Sequence, residues 1–455
     1  MINCRTSLPT EPLDAISRNP EKGLRELIVA APWPDSCRVE EIRLCRVWAQ
    51  RKGRIAAEFR VSVSTSHGPK SWMIQGVSAP GEPARNCAGS NITWDGDGLR
   101  GLFETDSAHS CWIATPDRDP ELRALHPLFG QRAFHCLRAN LSCWNAARLD
   151  AIDRDNSELL PRLVAYRIGR RMVMSLSPRG GDGGGCYLKG YRRSPDREAI
   201  VRAREVASLL AERSSGMVRV PELIGFNWEM GVALFEEIRF PGEPIGYGVD
   251  DIAIAGQIAA LIHSLPRCPS DSIHNIEKEI DTAARWCTVL TLLGSSDARR
   301  VAGLVARLRS CAPPMVPGEL SLVHRDFYSG QLLRNAVAHW VVDWDTVCQS
   351  HCELDLATYV AHAILDDALS ESAGTAWPPR VQAFLESYRL YGGCYDSRRL
   401  KWYLGCALAR LAAMHSVRGR GNALAPLWRL AEILVEHGVC SREIHGLASA
   451  VGGQK

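Results

Sequence analysis

The chain has 455 residues, 46% hydrophobic and 23% charged, with a formal net charge of +3. That length suits two or three domains with ample cores, and so small a charge excludes an extended surface for nucleic acid or anionic membrane. No run of about 18 apolar residues occurs, so no membrane-spanning helix is expected.

The N-terminus, Met1 to Lys22, is polar and broken by Pro9, Pro12 and Pro20. It has no apolar stretch of the kind a signal peptide needs, so a cytoplasmic protein is expected. The 16 cysteines are scattered and form no C-x-x-C pair. In a reducing compartment they read as buried free thiols. Cys348, His351 and Cys352 bring ligand types together. A zinc site needs a fourth ligand, so this group reads as a loop with incidental thiols.

Along the chain, strands come first and helices follow, an α+β pattern. Arg46–Arg54 resembles Arg162–Arg170, and both stretches run into alternating strands. Trp72–Gly76 and Tyr187–Gly190 then match as second short strands, with Gln75 where Lys189 stands. Residues 1–150 therefore form an N-terminal extension, a degenerate copy of the strands that follow or a chance likeness between two hairpins. If the copy is real, it has lost its cation and serves as a structural extension of the sheet.

Strands are expected at Leu163–Ala165, Arg171–Leu176, Cys186–Gly190 and Val232–Glu236. The tight turn Ile168–Arg171 is a candidate cover for phosphates or a solvent-exposed hairpin. Gly180–Gly185 lacks the Gly-Lys-Ser/Thr of a phosphate loop and reads as a flexible hairpin tip. A helix is expected over Arg197–Glu212, with Ile200, Val201, Ala207 and Leu210 on its inner face. Pro241–Pro244 breaks the pattern as a hinge or linker between a 151–242 lobe and a 243–455 lobe. Further helices are expected at Asp251–Leu265, Ile276–Trp286, Asp297–Leu308, Leu354–Leu365, Val381–Leu390, Arg399–Val417 and Leu424–His437.

The chemistry concentrates in Val323-His-Arg-Asp-Phe-Tyr-Ser-Gly-Gln-Leu-Leu333 and in Trp340-Val-Val-Asp-Trp-Asp345. Each places oxygen-bearing side chains in a turn after a short apolar stretch. Asp326 lies five residues before Gln331 and seventeen before Asp343. That order suits phosphoryl transfer from a nucleotide. One carboxylate takes the proton of an attacking hydroxyl, while an amide oxygen and a second carboxylate hold magnesium. Lys189, in a short apolar strand, could meet phosphate oxygens if a carboxylate holds it. Glu205, sixteen residues on, is the favoured partner, with Glu198 and Glu212 as rivals. The alternative is a lysine snorkelling from an edge strand. His324 reads as a histidine bonding nearby backbone, and His263 as a satisfied histidine at the core edge.

Lys189, Glu205, His324-Arg325-Asp326 and Val342-Asp343, in this order, resemble the aminoglycoside phosphotransferase/choline kinase family of protein-kinase-like folds. The resemblance covers about residues 151–440. It implies a β-rich lobe and a helical lobe with the nucleotide between them. It implies that Asp326 is the catalytic aspartate, Asp343 the magnesium-binding aspartate and Lys189 the phosphate-binding lysine, with Glu205 as its partner. Phe235-Glu236-Glu237-Ile238 resembles the hinge that meets the nucleotide base, through Glu237 and Ile238. Gln331 stands where the family more often has asparagine. The extra methylene can be absorbed by a backbone shift of about 1 Å, at a side-chain entropy cost of roughly 1–2 kcal/mol at most. Asp355 matches an acidic position at the start of the next helix and reads as an acid favoured by the helix dipole.

No lysine lies two positions after Asp326, no Ala-Pro-Glu follows Asp343, and no long activation segment fits before the helix near Leu354. A small-molecule acceptor is therefore expected rather than a protein. Trp377, Tyr388, Tyr391, Tyr395, Trp402 and Tyr403 offer faces for sugar rings or, equally, core packing. The expected activity moves the γ-phosphoryl group of ATP or GTP, with Mg2+, to a hydroxyl of an aminoglycoside, sugar or related metabolite. The alternative is a nucleotide-binding pseudokinase acting as scaffold or sensor.

Overall fold

The computed structural model describes residues 24–26, 28–29, 33, 37–49, 55–65, 68–79, 91–95, 98–104, 110–114, 119, 122, 141–143, 159–178, 185–191, 197–238, 243–266, 272–370, 377–416 and 424–436. The expectations for Met1–Lys22, Gly180–Gly184, Pro241 and Gly242 lie outside these residues, as do the side chains of Glu198, Ile200 and Trp377. The class is the expected α+β, rich in strands first and in helices later. Among the described residues no helix is long and apolar enough to cross a membrane.

Two compact units divide the chain. The first takes Met1–Ser194, Gly225–Leu234 and Thr288–Ser296. The second takes Pro195–Ile224, Phe235–Cys287 and Asp297–Lys455.

The N-terminal six-stranded sheet consists of β1 (Arg38–Ala49), β2 (Ile55–Thr65), β3 (Gly68–Ala79), β4 (Asn91–Asp95), β5 (Gly98–Glu104) and β6 (Ser110–Ala114), in the order β1-β2-β3-β6-β5-β4. Period-two patterning makes β2 a strand with one buried face. Phe59, Val61 and Val63 turn inward while Arg60 is exposed. The next sheet, also six-stranded, holds β7 (Ser142–Cys143), β8 (Leu159–Arg167), β9 (Arg171–Pro178) and β10 (Cys186–Tyr191). After β11 (Val218–Arg219), which joins another sheet, it gains β12 (Leu223–Asn227) and β13 (Val232–Glu236). Its order is β7-β12-β13-β10-β9-β8.

Both sheets follow one plan: three strands in sequence, then the last strand, then the one before it. The likeness is offset by one pair, because Gln75 stands opposite Glu58, the fourth residue of β2, and Lys189 opposite Val173, the third of β9. On β10, Cys186, Leu188 and Gly190 are buried, so alternation puts Lys189 on the other face with Tyr187 and Tyr191.

The second unit contains α1 (Arg197–Arg213), α2 (Val249–His263) and the start of α3 (Ile276–Leu292). It also contains α4 (Asp297–Ser310), α5 (Glu353–Leu369), α6 (Trp377–Leu390), α7 (Ser397–Ser416) and α8 (Ala425–Glu436). Helix α7 is buried along most of its length, Lys401 included, and packs on α4, α5 and α8. Helices α2 and α6 approach closely at Gly256, where an added Cβ would lie 2.5 Å from the Phe384 carbonyl oxygen.

Two small sheets carry the functional turns. One orders β11, β17 (His339–Val341), β16 (Leu332–Arg334) and β14 (Glu243–Pro244), and the other pairs β15 (Leu320–Val323) with β18 (Cys348–His351). Glu243 and Pro244, expected in a linker, instead pair with Arg334 and Leu333. A proline fits this short strand because it lies at the sheet edge, where its missing N–H costs no ladder bond.

Candidate active site

Strand β15 runs straight into the turn His324–Asp326. Arg325 takes a left-handed conformation, φ 71°, which costs a non-glycine residue about 1–2 kcal/mol. Asp355 offsets that strain. It sits in the first turn of α5, 1% exposed, and accepts the backbone N–H groups of His324 at 2.7 Å and Arg325 at 2.6 Å. It also lies 3.3 Å from Nε2 of His263, whose Nδ1 is 3.0 Å from the Tyr388 hydroxyl. Asp355 is the expected acid in the first turn of its helix, and its carboxylate also clamps the turn that carries Asp326. His324 matches its expected role, since its Nε2 donates to the Val342 carbonyl at 2.9 Å. His263 is likewise a satisfied core-edge histidine. Thr346 Oγ1 donates to the His324 carbonyl, and the Ser329 hydroxyl donates to the Ile245 carbonyl. Phe327, fully buried, anchors the turn against Tyr359.

The structure brings Asp326 and Gln331 together and pairs Gln331 with Val342, the residue before Asp343. Gln331 Nε2 lies 3.5 Å from Asp326 Oδ2 and 3.4 Å from the Tyr328 hydroxyl. These are contacts at the outer limit of hydrogen bonding. With its donor end toward Asp326, the amide keeps its carbonyl oxygen for another partner. Strands β16 and β17 pair antiparallel, and the Val342 N–H donates to the Gln331 carbonyl at 2.9 Å. That bond sets Asp343 one residue beyond Gln331 across the hairpin. Asp343 also has positive φ, 64°. Of the three non-glycine residues with positive φ among the described residues, two bracket this site, so backbone strain concentrates here. Two carboxylates and an amide oxygen are the hard donors that magnesium takes, water filling its remaining positions.

Tyr328 stacks on His362 of α5, ring centroids 4.4 Å apart and planes 16° apart. Burial holds the half-buried His362 imidazole down to about 3, with Arg410 and His415 adding to the effect, so the ring is neutral near pH 7. Burial also raises the Tyr247 hydroxyl above its ordinary value. Sequence reasoning missed this pair. The available signal was helical spacing, because Asp355, Tyr359 and His362 fall on one face of α5.

The other expected residues lie on other elements. Glu237 and Ile238, half-buried, follow the end of β13. Lys189 is half-buried in the first unit. Glu205 is exposed on α1 in the second. The buried stripe of α1 is Arg202, Val206 and Leu210; of the expected face Leu210 is buried and Val201 and Ala207 are half-buried, while buried Arg202 lies 3.4 Å from the Ser272 hydroxyl. Tyr388, Trp402 and Tyr403 are core, while Tyr391 is 53% exposed. Among the described residues no group of three or more His, Cys, Asp or Glu side chains could hold a metal. Burial raises the Cys352 thiol, which disfavours the thiolate that zinc needs.

Residues 179–403 match the model of the phosphotransferase enzyme family (APH). No match to a curated protein is found. Among solved structures, a macrolide 2′-phosphotransferase from Brachybacterium faecium is 16% identical with a TM-score of 0.38, covering 68% of this chain and 98% of that one. An amicoumacin kinase in complex with AMP-PNP, Ca2+ and Ami is 12% identical with a TM-score of 0.46, covering 71% and 99%. A choline kinase from Cryptosporidium parvum is 11% identical with a TM-score of 0.46, covering 68% and 96%. Residues 179–403 belong to the phosphotransferase enzyme family, which makes the chain a phosphotransferase.

Proposed function

We propose that the chain transfers the γ-phosphoryl group of ATP or GTP to a hydroxyl of an aminoglycoside, a sugar or a related metabolite. One observation supports this reading: Gln331 Nε2 lies 3.5 Å from Asp326 Oδ2 while a backbone bond pairs Gln331 with Val342, the residue before Asp343. Asp326 accepts the acceptor's hydroxyl proton as its oxygen attacks. Asp355 keeps that carboxylate in place through the two turn amides. Asp343 and the Gln331 carbonyl oxygen would hold Mg2+, which supplies charge neutralisation for the phosphates. Lys189 meets phosphate oxygens, and Glu205 is its proposed partner. Glu237 and Ile238 present backbone groups to the base. The face formed by Tyr328 and the neutral His362 packs against a ring of the acceptor without adding charge. Domain limits of 1–150, 151–242 and 243–455 accompany this reading.

The test is a phosphate-transfer screen with Mg2+ and either nucleotide over aminoglycosides, sugars, amino alcohols and nucleosides. Transfer to one class by wild type, lost in Asp326→Ala with nucleotide affinity retained, is expected. Loss of Asp326 should lower kcat by about 10²–10⁴-fold. Full turnover by Asp326→Ala would refute the assignment. Magnesium-dependent nucleotide binding with no transfer would instead favour a pseudokinase acting as scaffold or sensor.

A further inference from the structure

The turn between β8 and β9 is taken over by the N-terminal sheet. Gln75 on β3 is 5% exposed. Its Oε1 accepts the Ile168 N–H at 2.8 Å, and its Nε2 donates to the Tyr166 carbonyl at 2.8 Å and to Glu58 Oε2 at 2.7 Å. Asp119, fully buried, accepts the Gly169 N–H at 2.6 Å and the Tyr166 hydroxyl at 2.8 Å through Oδ2. The remaining turn amide, Arg170 N–H, donates to the Arg167 carbonyl at 3.0 Å. Ile168 is 0% exposed and packs with Ala56, Val77 and Ala114. Neither a solvent-exposed hairpin nor a loop with amides open to phosphate describes this turn.

Its position gives the clamp a purpose. Strand β9 starts at Arg171, opposite Tyr191, and Lys189 stands opposite Val173, two pairs further along. The turn and the Lys189 backbone therefore share one end of the sheet. A hairpin tip is ordinarily among the more mobile parts of a sheet. Here four side-chain hydrogen bonds from two buried residues, Gln75 and Asp119, remove that freedom. The clamped turn fixes the strand register on which the lysine's placement depends.

We propose that Gln75 and Asp119 are positioning residues for nucleotide binding: the N-terminal sheet locks the β8–β9 turn and so presets Lys189 for the phosphates. The turn amides are spent on the clamp, so phosphate charge falls to Lys189 and the metal-binding side chains. This inference rests on the proposed nucleotide-dependent function. It also gives residues 1–150 a role in the reaction beyond extending a sheet.

The full-length chain is titrated with Mg·ATP and Mg·GTP as wild type, Gln75→Ala, Asp119→Asn and Tyr166→Phe, with thermal melting as the control for folding. Gln75→Ala should weaken nucleotide binding by about tenfold, the equivalent of one to two hydrogen bonds, and raise nucleotide KM in step. Acceptor KM should stay unchanged. Asp119→Asn keeps an acceptor for Gly169 but loses the charge and should show a smaller effect in the same direction. Tyr166→Phe deletes one hydroxyl and should fold even if the others do not, with a loss of roughly threefold. A purely structural clamp would lower the melting temperature and leave nucleotide affinity as it was. Unchanged or tighter nucleotide binding in the folded variants, while wild type binds, overturns this inference alone. A wild type that binds neither nucleotide overturns both this inference and the proposed function.

Discussion

Replacing Asp355 tests the link between buried hydrogen bonding and catalysis most sharply. Its carboxylate is 1% exposed and accepts two backbone N–H groups at 2.7 and 2.6 Å. Hydrogen bonds to a charged group are worth about 1.5–3 kcal/mol each. Asp355→Ala strands both donors in a space closed to solvent, so the expected loss is roughly 3–6 kcal/mol. A domain's whole stability is about 5–15 kcal/mol, so this variant stands near the limit of folding. Asp355→Asn is the more informative change. It keeps the volume and one acceptor but turns an NH2 group toward an N–H, for a loss of roughly 2–3 kcal/mol.

The catalytic effect follows from Arg325, whose left-handed backbone is held by the same bonds. Freed of them, the turn relaxes and carries Asp326 with it. A displacement of about 1 Å at a reacting group costs on the order of 10²-fold in rate. Urea denaturation reads the first effect, and steady-state turnover with nucleotide titration reads the second. The expected pattern for Asp355→Asn is a lower urea midpoint, kcat down by about two orders of magnitude and nucleotide affinity nearly intact. A folded Asp355→Asn with wild-type kcat would show that the clamp does not position Asp326, and the reasoning would fail.

Gln331→Asn removes one methylene from a side chain already at the limit of contact with Asp326. Turnover within about fivefold of wild type and a shifted Mg2+ requirement are expected, because the amide oxygen survives while its reach shortens; an unaltered Mg2+ titration would count against Gln331 as a ligand. Gly256→Ala places a Cβ against the Phe384 backbone and Ser387 where α2 meets α6. It should cost about 1–3 kcal/mol of stability, read by denaturation, with little change in Mg2+ dependence. His362 has its folded pKa depressed to about 3, below its unfolded value, so the unfolded state alone takes the proton as pH falls from about 6.5. That stabilisation is full above pH 6.5 and is lost progressively toward pH 3, by at most about 5 kcal/mol. His362→Phe should flatten the acid limb of the stability profile, and a parallel decline in both proteins would refute the assignment.

Local pattern carried the elements and the chemistry. Short strand-forming runs marked β9, β10 and β13, and apolar spacing marked the described helices of the second unit, because each pattern is legible within a few residues. Asp326, Gln331 and Asp343 were legible for the same reason: they lie within eighteen residues of one another on turns joined by a single hairpin. The expected inner face of α1 holds at Leu210 but omitted Arg202, a cation that apolar counting assigns to solvent and that Ser272 meets from 70 positions away. Only the folded chain decided the clamps. Asp355 meets its turn across about 30 positions, Gln75 reaches Ile168 across 93, and Asp119 reaches Gly169 across 50. A buried N–H must find an acceptor, but nothing in its neighbouring residues specifies which one. The sequence by itself thus determined the strands, the helices and the order of the reactive oxygens. Tertiary structure decided which distant carboxylates and amides hold the turns still, because burial alone makes those hydrogen bonds obligatory.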